Sequence, residues 1–234
     1  SESIALPAAQ RLVNEIVTGM GGTEVSQADF NTKYSGMNFN LILANVLKDQ
    51  GMQPMGDDQV TAVSKREDEH QAKTLVEEDV TMTPAARQTV ECVINSGIDT
   101  CVATSATTTR ALASLDHVGL TPVIGRDHIY SGADMGKPKP LPDVYLKALR
   151  EMGVPVDAVS IAVEDSRSGA KSATAAGITA LFGMLGGDHI TDDKRTAMKE
   201  ALLSNGARFA ISDLAQVLVA AHDSGIVKLS QKPG

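Results

Sequence analysis

Apolar residues recur at helical spacing through the first third of the chain. Leu6, Ala9, Val13, Ile16, Val17 and Met20 fall on one face of a 3.6-residue period, and Gly21-Gly22 closes the run. Ser26 followed by Asp29 predicts a capped start for a short second helix. A turn over 34–40 leads into the apolar run Leu41–Leu47, which stops before Gly51. From Gln59 to Leu75 the chain is dense in charge, with Lys65-Arg-Glu-Asp-Glu-His70 at its centre, and this run reads as the solvated face of a helix. No strand pattern occurs in residues 4–80. They form a compact helical unit.

The pattern changes at Pro84. A helix over 84–96 stops at Gly97, and short apolar runs then alternate with helical segments. The expected strands are Cys101–Ala103, Pro122–Ile124, Ser160–Val163, Thr179–Phe182 and Arg208–Ile211. The expected helices follow Thr109, begin at Pro142-Asp143, and cover 168–176 and 191–204, with a last one capped by Ser212 or Asp213. A polar loop runs from Ile124 through Gly136, and Lys228–Gly234 reads as a frayed end. Regular strand–helix alternation of this kind predicts an α/β fold with a doubly wound parallel sheet. The division expected is a helical unit over 1–80 and a Rossmann-like core over 81–234.

Composition narrows the function classes. With 234 residues there is room for one core domain and a smaller accessory unit. A formal charge of −8, 3% aromatic residues and no Trp argue against nucleic-acid binding by electrostatics or base stacking. No apolar run approaches the ~20 residues that span a bilayer, and nothing reads as a signal peptide, so a cytoplasmic protein is expected. Cys92 and Cys101 fall in an apolar helix and an apolar strand, which predicts two buried free thiols.

The chemistry lies where the strands end. In parallel sheets ligands sit beyond the carboxyl ends of the strands. One strand ends in Thr104-Ser105, with hydroxyls and amide groups at a helix start suited to an anion. Lys137 and Lys139 stand in the proline-rich run Gly-Lys-Pro-Lys-Pro-Leu-Pro-Asp143, which holds an ammonium in a narrow region. A third strand ends in Glu164-Asp165. Two such charges ~4 Å apart repel by about 4 kcal/mol at an effective dielectric of 20, a cost that a divalent cation removes. Acids suited to a helix N-terminus are the other reading of that pair.

Taken together these motifs are similar to those of the haloacid dehalogenase (HAD) superfamily, in the branch of β-phosphoglucomutase and phosphoglycolate phosphatase. The match lies in Val102-Ala-Thr-Ser105, in Lys139-Pro-Leu-Pro-Asp143, and in Glu164-Asp-Ser166 with Gly169 and Ala175-Ala-Gly177. The resemblance favours Lys139 over Lys137 and implies catalytic roles for Thr104 and Lys139. It places phosphate on Thr104, Ser105 and Lys139, with Asn38 touching substrate from the 34–40 turn. Mg²⁺ falls to Asp165 and Glu164, and residues 1–80 become an α-helical cap. The implied activity is hydrolysis of a small phosphorylated metabolite through an aspartyl-phosphate, by a monomer or weak homodimer free of nucleic acid and membrane. A phosphomutase and a catalytically inactive phosphate-binding protein are the alternatives.

The family's first motif, Asp-x-Asp on the central strand, does not occur in residues 1–234. Ser1-Glu-Ser-Ile4 resembles the residues just after that motif, so some ~15 to 20 further N-terminal residues are expected. Without them the expected sheet has an unpaired gap at its centre.

Overall fold

A computed structural model describes residues 2–34, 37, 39–77, 81–187 and 190–226. The chain divides into two compact units, 1–80 and 81–234.

The first unit contains α1 (Glu2–Gly19), α2 (Gln27–Tyr34), α3 (Phe39–Asp49) and α4 (Asp57–Glu77). Its interior gathers Val13, Val17, Phe30, Ile42, Leu43 and Leu47 from the first three helices. Met20, placed on the apolar face by periodicity, is exposed where the helix ends. Ser26 caps α2, accepting the Asp29 amide at 3.1 Å and donating to its carboxylate at 2.8 Å. The loop between α1 and α2 has no strand partner, and side-chain amides take that place. Asn14 accepts the Val25 amide at 2.9 Å and donates to the Val25 carbonyl at 3.1 Å, and Gln50 treats Thr23 in the same way. The charged run of α4 is only partly a solvated face. Glu67 is buried, as are Gln71 and Thr74 one and two turns on. Positions four apart share a helix face, so Glu67 follows Val63 inward.

The second unit runs α5 (Pro84–Asn95), β1 (Val102–Thr104), α6 (Thr108–His117), α7 (Thr121–Ile124), β2 (Ile129–Ser131), α8 (Asp143–Glu151), β3 (Ile161–Glu164), α9 (Arg167–Ala175), β4 (Ala180–Met184), α10 (Asp192–Ser204), β5 (Phe209–Ile211) and α11 (Ala215–Asp223). Every strand pair among the described residues is parallel. Helices cover both faces of the β3–β4–β5 sheet. Ala162, Leu181 and Leu202 pack on one side with Val144 and Ala170. Phe182, Ile211 and Val217 pack on the other, where the Phe182 and Phe209 rings stack at 5.0 Å.

Two expectations fail in the middle of this unit. Pro122–Ile124 is not a strand but the turn of α7, because Pro presets φ and lacks the amide a ladder needs. The strand is β2, inside the stretch read as a polar loop. It has only Ile129 and Tyr130 as apolar residues, too few to show an alternation, yet it is buried throughout. Cys92 is exposed on α5 rather than buried, and Cys101 is half-buried just ahead of β1. Burial pushes the Cys101 thiol up to about 11.

The strands fall into two sheets, β1–β2 and β3–β4–β5, and among the described residues no strand joins them. Burial varies from strand to strand. β2 is buried at every position and β4 at all but its last, whereas β1 is half-buried throughout and β3 at alternate residues. In a continuous parallel sheet the inner strands are covered on both faces. Here β1, β3 and β5, each at a sheet edge, are more open than the inner strand β4. Thr104 turns its carbonyl toward β2 and accepts the Gly132 amide at 2.8 Å. Ala103 turns its carbonyl the other way, and the Lys139 ammonium donates to it at 3.0 Å.

Candidate functional site

An open cavity of about 410 Å³ lies at the carboxyl ends of β1, β3 and β4, lined by Ala103, Thr104, Ser105, Lys139, Val163, Glu164, Asp165, Ser166 and Met184. Five residues singled out in the sequence, from three separate segments, therefore share one cavity. Local structure places each of them. Ser166 caps α9 by accepting the Gly169 amide at 3.0 Å, which ends β3 sharply and leaves Glu164 and Asp165 at the rim. Gly177, with φ of 79°, closes α9 and allows the chain to turn back into β4.

The acid pair is split between two environments. Glu164 is buried and Asp165 exposed, as alternation along a strand requires. The Glu164 carboxylate receives the Lys139 ammonium and the Tyr145 hydroxyl on the same oxygen, Oε1. Its other oxygen packs so closely on α9 that a Cβ at Gly169 would overlap it. This contact supplies the physical reason for glycine at that motif position. Burial pushes the Glu164 carboxyl up, opposed by the Lys139 charge and by the hydrogen bonds from Lys139 and Tyr145. Burial, then the neighbouring Glu164 charge, holds the Tyr145 phenol well above its ordinary range.

Lys139 and Lys137 differ sharply although two residues apart. The Lys139 side chain is 8% exposed and faces the cavity, while that of Lys137 is 56% exposed and pairs with Asp143 at 2.6 Å. Thr104 uses its hydroxyl to accept the Ala106 amide at 3.0 Å. The start of α6 is less open to an anion than the sequence suggested. Its Thr108 amide goes to Asp134 at 2.9 Å and its Arg110 amide to Thr107 at 3.2 Å. Asn38 lies outside the described residues, as do Lys228–Gly234.

Among the described residues no group of three or more His, Cys, Asp or Glu side chains is arranged to hold a metal. Glu164 is committed to Lys139 and Tyr145, which leaves Asp165 as the exposed carboxylate at the cavity. The carboxylates present thus fit a magnesium ion only in part. Also among the described residues, no helix is long and apolar enough to cross a membrane. Sequence reasoning missed Tyr145. Its only signal was a place two residues after Asp143, on the buried face of the amphipathic helix α8.

A family model described as haloacid dehalogenase-like hydrolase matches residues 6–182. The chain belongs to that family. Within it, the likeness is to the branch of β-phosphoglucomutase-like and CbbY proteins. Protein CbbY of Rhodobacter capsulatus is 36% identical over 124 residues, 49% of this chain and 53% of that protein. A phosphorylated carbohydrates phosphatase of Thermotoga maritima is 32% identical over 124 residues, 53% of this chain and 52% of that protein. This HAD chain thus spans about half the length of the curated relatives it matches. Its fold matches a family IA HAD hydrolase from Entamoeba histolytica with a TM-score of 0.74 at 22% identity, covering 94% of this chain and 92% of that one. CbbY from Rhodobacter sphaeroides, solved in complex with phosphate, matches with a TM-score of 0.70 at 21% identity over 90% and 89% of the two chains. These likenesses establish the α/β, Rossmann-like HAD core.

Proposed function

We propose that residues 81–234 carry the phosphate-handling part of a phosphohydrolase that acts on a small phosphorylated metabolite. The observation that carries this reading is the convergence of Thr104, Ser105, Lys139 and Asp165 on one cavity at the strand ends. Family membership and the two curated relatives, one of them a phosphatase of phosphorylated carbohydrates, support it. In this reading the Thr104 hydroxyl and the Ser105 amide hold phosphoryl oxygens. The Lys139 ammonium balances charge that builds on them as the phosphorus–oxygen ester bond breaks. Asp165 is the carboxylate that shares in holding Mg²⁺, and the helical unit serves as the cap that admits substrate and excludes water.

The 234 residues contain no Asp-x-Asp to supply the attacking carboxylate and the proton shuttle. Phosphate binding without turnover is therefore the behaviour expected of this chain, which the inactive phosphate-binding alternative shares. Titration of inorganic phosphate into residues 1–234 tests the site, and Lys139→Met is expected to weaken binding by at least about tenfold, the scale for one charge-assisted hydrogen bond. Absence of phosphate binding by the wild type removes the reading. Rapid hydrolysis of p-nitrophenyl phosphate with Mg²⁺ by this chain alone removes the no-turnover part of it.

A further inference from the structure

Tyr145 lies outside every motif, yet it sits at the centre of the buried polar cluster. The residue is 8% exposed, and its hydroxyl donates to Glu164 Oε1, the oxygen that also takes the Lys139 ammonium. The ammonium reaches the Ala103 carbonyl at 3.0 Å and stands 5.2 Å from the centroid of the Tyr145 ring. Glu164 is thus gripped from two elements, by Tyr145 on α8 and by the close approach of Gly169 on α9. With both acceptor directions of Oε1 filled and Oε2 against the α9 backbone, the carboxylate cannot swing into the cavity without breaking both contacts. A buried ion pair of this kind adds little net stability, because desolvating two charges offsets most of their attraction. Its effect is on position. Lys has four rotatable carbons and normally roams, whereas this one has its head fixed by three partners.

We propose that Tyr145 is a positioning residue: through Glu164 it fixes the Lys139 ammonium at the cavity wall, and Glu164 serves that lock rather than a metal ion. The role in phosphate handling rests on the functional reading above, while the lock itself does not. In Tyr145→Phe only the hydroxyl is lost and the ring under the ammonium remains. In Gly169→Ala the added methyl displaces the Glu164 carboxylate from the other side. Neither change touches Lys139.

Timed labelling of lysines with acetic anhydride, read peptide by peptide in the mass spectrometer, reports the lock without any ligand. In the wild type Lys139 is expected to label far more slowly than Lys137. In Tyr145→Phe its rate rises on the order of tenfold, the scale of a hydrogen bond to a charged group. Lys137 and Lys147, the latter on the same helix as Tyr145, keep their rates. Tyr130→Phe, at another buried tyrosine, leaves Lys139 unchanged. Unaltered Lys139 labelling in a folded Tyr145→Phe overturns the lock, and this variant decides the matter even where Gly169→Ala fails to fold. Titrations then separate the two ideas. A wild type that does not bind inorganic phosphate overturns the functional reading and leaves the lock to the labelling result. A wild type that binds phosphate, with Lys139→Met weakened and Tyr145→Phe unaffected, overturns the positioning role alone. A loss of Mg²⁺ affinity of tenfold or more in Glu164→Gln, with Lys139 labelling unchanged, makes Glu164 a metal ligand and overturns the assignment.

Discussion

The two units bury their interiors differently. In residues 1–80 the centre is an apolar set around Phe30, Ile42, Leu43 and Leu47, with Glu67, Gln71 and Thr74 of α4 also buried, and the polar side chains Asn14 and Gln50 stitch a loop to it. In residues 81–234 the apolar clusters lie on the two faces of a sheet, and at the strand ends Lys139 and Glu164 are buried together beside a cavity. Apolar burial stabilises at roughly 25 cal/mol per Å² without regard to direction. A buried ion pair adds little net stability but holds charge in one place. The first interior therefore reads as a scaffold and the second as a site.

Substitutions can break this contrast, and the largest expected effect falls on the scaffold. Phe30 is fully buried, so Phe30→Ala should lower unfolding free energy by about 3–5 kcal/mol in urea denaturation. A loss below about 1 kcal/mol contradicts a close-packed helical core. Next comes Lys139→Met, which strands the Glu164 charge in the interior and should cost about 3 kcal/mol, whereas the double change Lys139→Met with Glu164→Gln regains most of it. The double variant should still bind phosphate at least about tenfold more weakly than the wild type. That outcome separates the pair's contribution to position from its contribution to stability, and a double variant as unstable as the single one breaks the distinction. Smallest is Lys137→Ala, which removes an exposed pair with Asp143 and should shift stability by no more than about 1 kcal/mol, with phosphate affinity unchanged.

Much of the fold was legible because its signals are local. The strand over 160–163, the abrupt acid pair, the Ser166 cap and the glycine at 177 all rest on neighbours a few residues apart, and β3, α9 and β4 arise from them. The failures share the opposite property. β2 is a strand because Ala103 and Tyr130 pair across 27 positions, not because Ile129-Tyr130-Ser131 carries a pattern. Glu67 is buried against an interior that its own charged neighbours do not reveal. Cys92 looked apolar by company and is exposed by the orientation of α5.

The sequence by itself determined which residues end the strands. Hydroxyls at 104–105, a lysine held among prolines and two acids at 164–165 are fixed by chain order and by local backbone preference. Only the tertiary structure decided how those residues divide the work. It buried the Lys139 that the motif resemblance already favoured and left Lys137 exposed, turned Glu164 inward and Asp165 outward, brought Tyr145 from another helix onto the buried carboxylate, and divided the strands into two sheets. The reason is physical: desolvation, close packing and hydrogen-bond partnership depend on distances between segments far apart in the chain, and no short window of sequence contains them.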